Sequence, residues 1–71
     1  MKISMIQAQK VLNGNQSFMQ FGFAMMITRL KTQYAKNPTQ STLQACTDEI
    51  NGFLEKFASI MGADYETITK M

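Results

Sequence analysis

The chain has 71 residues, and a domain of this size buries only about 60% of the surface that its unfolded chain exposes. Hydrophobic residues make up 45% of it and charged residues 17%, a balance that favours a folded globular protein over intrinsic disorder. It has no histidine and a single cysteine, which excludes an intrachain disulfide framework, a Cys/His zinc site and a histidine-based catalytic relay. We therefore expect residues 1–71 to form a single small domain.

The formal net charge of +2 conceals a polarised chain. Residues 1–36 contain five basic residues and no acid, whereas residues 37–71 contain five acids and two lysines, so the two halves carry +5 and −3. Such asymmetry can indicate a nucleic-acid or membrane partner for the basic half, and it also arises when a basic helix packs antiparallel to an acidic one. We favour the second interpretation because the basic residues are few and dispersed.

No segment has the composition of a targeting signal or a membrane anchor. Polar residues interrupt the N-terminal stretch where a secretory signal would be apolar. The longest unbroken apolar run covers only residues 23–27, whereas a membrane-spanning helix needs about 20. A lone cysteine fits a reducing compartment. We expect a cytoplasmic protein and do not expect a membrane partner.

Helix start and stop signals divide the chain into segments. The sequence Ser-x-x-Gln begins at Ser4, Ser17 and Ser41, each time ahead of a periodic apolar stretch, and this is the spacing of a helix capping box. Each stretch is followed by residues that end helices: Asn13-Gly14, Asn37-Pro38 and Gly62.

These signals predict helices over 4–13, 17–36 and 41–61. A short fourth helix is expected from Asp64, as its cap, to about Lys70. No window shows the alternation of a half-buried strand. The predicted fold class is therefore all-α, a three-helix bundle with room for a short fourth C-terminal helix.

The third predicted helix has one apolar face. At 100° per residue its apolar side chains fall in a single stripe, with acids and other polar residues opposite. Cys46 lies inside that stripe and is expected to be a small core residue. Gly52 lies on the polar side, where the sequence offers no reason for it. The stripe consists of Leu43, Cys46, Ile50, Phe53, Leu54, Phe57, Ile60 and Met61.

The second predicted helix has apolar residues on two opposite sides. The larger stripe contains Met19, Phe23, Met26, Ile27, Leu30 and Tyr34. The other contains Phe18, Phe21 and Met25. Such a helix is either the central helix of a bundle, covered by the other two, or part of an interface that meets a partner or a second copy.

The sequence carries no recognisable catalytic or ligand-binding motif. It has no phosphate-binding loop, no dinucleotide fingerprint and no nucleophile elbow. The acids of the third helix, such as Asp48 and Glu55, fall on its polar side, where they are expected to be solvated. We therefore expect a protein that is not an enzyme, and we assign no catalytic residue, no cofactor and no metal.

Interaction with another protein is the function that these features favour. Seven methionines add flexible apolar side chains of the kind found at adaptable binding surfaces. The predicted partner-binding residues are Phe18, Phe21 and Met25, with Arg29 at their edge, and the partner is another protein or a second copy. The alternative is a regulator that binds nucleic acid through Arg29, Lys31 and Lys36, although these charges also suit the C-terminal end of a helix dipole.

Overall fold

The computed structural model describes residues 1–14 and 19–71, and there the chain forms four α-helices and no strand. The helices are α1 (Met5–Asn13), α2 (Phe21–Lys36), α3 (Gln40–Lys56) and α4 (Gly62–Thr69). This confirms the predicted all-α bundle with a short fourth C-terminal helix.

The first capping box is present as predicted. The backbone N–H of Gln7 donates to Ser4 Oγ over 3.2 Å, and the backbone N–H of Ser4 donates to Gln7 Oε1 over 2.9 Å. Each side chain thus satisfies a backbone donor that the first turn of a helix leaves unpaired. Because isolated helices shorter than about 12 residues are marginal in water, this cap and packing against other helices together stabilise α1.

Helix α2 begins at Phe21, four residues later than predicted, and its predicted cap, Ser17, lies outside the described residues. The residue before the helix is Gln20, in an extended conformation, and its side chain does not cap the helix. Instead its backbone N–H donates to Asp64 Oδ2 over 3.1 Å, and its side-chain amide donates to the Ile60 carbonyl over 2.6 Å. Residues distant in sequence therefore hold the start of α2.

Helix α3 begins and ends earlier than predicted. Its cap is Thr39, whose hydroxyl accepts the backbone N–H of Thr42 over 3.2 Å, so the prediction that Ser41 caps this helix is wrong. The helix ends at Lys56, and residues 57–60 form a turn. After that turn the side chain of Met61 enters the core.

Helix α4 begins at Gly62, so the prediction that it starts with Asp64 as its cap is also wrong. Asp64 is buried in the first turn and accepts the backbone N–H of Gln20. Its carboxylate is turned toward the start of α2 because that N–H lies outside any helix and needs an acceptor.

The core lies between α1, α2 and α3, with α4 packed against α1. The larger stripe of α2 supplies the centre of this core through Phe23, Ile27 and Leu30, which are almost completely buried. The ring of Phe23 lies 5.3 Å from that of Phe53, measured between centroids, at a tilt of 45°. Tilted pairs at this separation are favourable beyond the area they bury.

One amide side chain of α3 binds the backbone of the N-terminal segment at two points. Asn51 Oδ1 accepts the backbone N–H of Ile3 over 2.8 Å, and Asn51 Nδ2 donates to the Ile3 carbonyl over 3.1 Å. The side chain of Ile3 is buried in the core. These two hydrogen bonds fix the position of the backbone immediately before Ser4, the cap of α1.

Gly52 gives a testable prediction about the stability of α3. An alanine Cβ built at this exposed position meets no atom within 4 Å. Because glycine in a helix interior is about 0.5–1 kcal/mol less favourable than alanine, Gly52→Ala should raise the free energy of unfolding by about that amount. Urea denaturation followed by circular dichroism would measure the change. A decrease would show that the backbone at Gly52 needs the freedom of glycine.

Candidate functional site

The second stripe of α2 lies on the surface of the bundle. Phe21 is 81% exposed and Met25 is 60% exposed, although the opposite side of the same helix is buried. Phe18, the third apolar residue predicted for this stripe, lies outside the described residues. Helices α1 and α3 therefore cover only the larger stripe, and they leave Phe21 and Met25 in contact with water.

Two further exposed apolar residues lie at the same end of the bundle. Ile60 is 55% exposed, and its carbonyl accepts the side chain of Gln20, next to Phe21. Phe57 is 36% exposed, and its ring lies 4.6 Å from that of Phe53 between centroids. We call these four residues, Phe21, Met25, Phe57 and Ile60, the docking patch.

The ring of Phe53 lies between the start of α2 and the turn that carries Phe57 and Ile60. An alanine Cβ built at Gly22 would lie 3.9 Å from Phe53 Cζ, so this ring borders the first turn of α2. Phe53 packs on the core at one side, against Phe23, and on Phe57 at the other. The exposed apolar surface is therefore connected to the hydrophobic core through this ring.

Sequence reasoning assigned Phe57 and Ile60 to the buried stripe of the third helix and so missed them. Their spacing fits a helix, but α3 ends at Lys56. In the turn over residues 57–60 both side chains are exposed. No glycine or proline occurs between residues 53 and 61 to signal an early end. The sequence around Lys56 therefore gives no sign that α3 ends there.

Arg29 lies where α2 meets α3, and its guanidinium forms an ion pair with the Glu49 carboxylate. Both side chains are about half exposed, and pairs of this kind contribute at most about 1 kcal/mol. Lys56 lies over the Phe57 ring, with its Nζ 5.6 Å from the centroid. Charged groups thus border the apolar residues, as is usual at the rim of protein interfaces.

Cys46 is buried and does not have the surroundings of a reactive thiol. Its Sγ lies 3.9 Å from the Leu30 carbonyl oxygen, facing α2. Burial raises the pKa of the Cys46 thiol, and the positive charge of Arg29 offsets part of that rise. Because the thiolate is the nucleophile, a raised pKa makes this side chain less reactive. Cys46 acts as a core residue.

A shallow cleft of about 260 Å³ lies on the exposed side of α3 and is lined by Lys2, Asp48, Asn51, Gly52 and Glu55. Both Asn51 amide atoms are engaged by Ile3, and Glu55 pairs with the N-terminal ammonium over 3.4 Å. In residues 1–14 and 19–71, no three histidine, cysteine or acidic side chains are grouped as metal ligands. The cleft presents solvated charges without the convergent donors of a ligand site.

Comparison with family models, curated proteins and solved structures found no match to this chain. Among the described residues, no helix has both the length and the apolar character that crossing a membrane requires.

Proposed function

We propose that this protein acts through contact with another protein, and that the docking patch is the surface that makes the contact. The observation that carries the proposal is the exposure of Phe21 and Met25 on a helix whose opposite side is already buried. A 71-residue protein has little apolar material to spare. Contiguous exposed apolar residues on small soluble proteins mark interaction sites.

Position within the fold supports the same proposal. Phe21 lies in the first turn of α2. Phe57 packs on the ring of Phe53, which in turn packs on Phe23 in the core. Apolar anchors on a rigid scaffold lose little conformational freedom when they bind, which increases the affinity they can provide. Charged residues border the patch without entering it, and this matches the apolar centre and polar rim of protein interfaces.

Replacing Phe21 and Met25 together by alanine tests the proposal. An anchor at the centre of an interface contributes about 2 kcal/mol or more, so the double variant should weaken association at least about thirtyfold. Self-association is measured by sedimentation velocity over a concentration series. Association with other proteins is measured by comparing what immobilised wild-type and variant chains retain under identical conditions.

Ile6→Ala is the matched control, because Ile6 is 68% exposed on α1 and lies outside the docking patch. It should leave sedimentation and retained proteins unchanged. If Phe21→Ala with Met25→Ala also leaves both unchanged, the docking patch is not an interaction surface. Nucleic acid that co-purifies and is released by high salt would favour the alternative function of the basic half.

A further inference from the structure

The exposed side of α2 has the spacing of a coiled-coil seam. Successive members are separated by four, three, four and three residues, and every one is exposed: Phe21, Met25, Thr28, Thr32 and Ala35. This spacing lines side chains up along a helix so that they can interdigitate with a second helix. We call this line the α2 seam. It begins in the docking patch and runs along the helix to its C-terminal end.

The α2 seam can be covered by an apolar surface without leaving a side-chain donor unpaired. The Thr28 hydroxyl donates to the Ala24 carbonyl over 2.9 Å, and the Thr32 hydroxyl donates to the Thr28 carbonyl over 3.2 Å. Both donors are thus satisfied within the helix, which removes the main cost of burying a hydroxyl. The other members of the seam carry no polar side-chain group.

Positive charge borders the α2 seam on both sides. In heptad positions, Arg29 and Lys36 lie on one flank and Lys31 on the other, and α2 contains no acid. Arg29 is paired with Glu49, but neither lysine forms an ion pair with a described residue. Lys31 Nζ lies 3.4 Å from the Gly14 carbonyl oxygen, which does not neutralise its charge.

A second copy of this chain does not complement the seam. Two α2 helices packed face to face would bring lysines near lysines, which opposes pairing. The exposed side of α3 carries acids such as Asp48 and Glu55, but it has no large apolar side chain beside them. Among the described residues, no element combines an exposed apolar line with flanking acids.

We propose that the α2 seam binds an amphipathic helix of another protein, one with a matching line of apolar residues and acids on either side of it. The inference rests on the proposed function and adds the chemistry of the partner. Apolar contact along the seam supplies affinity, while the flanking lysines select an acidic helix and reject a basic one.

Two synthetic helical peptides of about four heptads provide the test, both with leucine at the apolar positions. One has glutamate at every flanking position and the other has lysine, so like charges disfavour pairing of each peptide with itself. Fluorescence anisotropy with the full-length protein measures binding at low and high salt. We expect the glutamate peptide to bind about tenfold more tightly, with the preference shrinking at high salt.

Charge reversal at Lys31→Glu with Lys36→Glu should invert the preference between the two peptides. The control variant, Lys2→Glu with Lys70→Glu, changes the net charge equally at exposed positions away from α2 and should preserve the preference. Equal binding of both peptides, or a preference that survives reversal at Lys31 and Lys36, would overturn the inference.

Other results separate this inference from the proposed function. A salt-insensitive dimer that binds neither peptide and is dissociated by Phe21→Ala would overturn the acidic-helix partner and support contact through the docking patch. Binding of the glutamate peptide that is unaffected by Phe21→Ala with Met25→Ala would show that the seam is not the binding site.

Discussion

Phe23→Ala should remove about 3–5 kcal/mol from the free energy of unfolding, the largest effect that we expect from a single substitution. Phe23 is fully buried, and its ring packs against Phe53 where α2 and α3 meet. Truncation to alanine would leave a cavity beside the Phe53 ring, which would lose its contact with Phe23. A domain of this length has a total stability of about 4–10 kcal/mol, so much of the population should unfold in mild urea.

The matched control is Phe21→Ala, the same change two residues earlier in the same helix. Phe21 is 81% exposed, so its truncation should change the free energy of unfolding by no more than about 0.5 kcal/mol. Urea denaturation of both variants, followed by circular dichroism and by tyrosine fluorescence, measures the difference. If both variants lose equal stability in an established monomer, Phe21 belongs to the core and the docking patch has to be abandoned.

Ile68→Ala should cost about 2–4 kcal/mol and should release α4 from the bundle. Ile68 is fully buried, and α4 has only eight residues, too few for a helix that is stable by itself. Other contacts of this part of the chain include the buried Asp64 carboxylate, the packing of Tyr65 on the core and, beyond the helix, the bond from Lys10 Nζ to the Met71 carbonyl oxygen, at 3.0 Å. Amide hydrogen exchange of residues 62–69, together with urea denaturation, measures the outcome.

Ile6→Ala provides the control for Ile68→Ala, because it makes the same chemical change at an isoleucine that is 68% exposed. It should leave both the urea transition and the protection of α4 unchanged. Loss of protection limited to residues 62–69, with no change in the main transition, would mean that α4 is an appendage that adds nothing to the stability of the bundle.

The parts of the fold that depend on local patterns follow from the sequence. The Ser4 cap, the helical periodicity and the core stripe of α2 involve residues within one or two turns of each other, so spacing alone predicts them. The start of α3 differs although it is local, because Thr39 takes the capping role that Ser41 could also have taken, whereas the role of Asp64 depends on a distant contact. Asp64 has the sequence position of a cap, yet its carboxylate accepts a backbone N–H that lies 44 residues away.

The sequence predicted half of the docking patch. The sequence places Phe21 and Met25 opposite the larger apolar stripe of the helix, but it leaves open whether the other two helices cover them or a partner does. Phe57 and Ile60 did not stand out, because their spacing continues the buried stripe of α3 beyond the point where that helix ends. The spacing of the α2 seam through Thr28 and Thr32 could not be predicted, because threonine counts as polar in a sequence pattern. Only the structure shows that both hydroxyls are hydrogen-bonded within the helix.

The bonds from Gln20 to Asp64 and to the Ile60 carbonyl have a consequence for synthesis of the protein on the ribosome. The start of α2 carries Phe21, and the two long-range partners of Gln20 lie 40 and 44 residues later in the sequence. Neither bond can form until those residues have been translated and have left the exit tunnel. The surface that we propose for partner binding is thus completed only after residues 57–64 have left the tunnel, about 40 residues behind the start of α2.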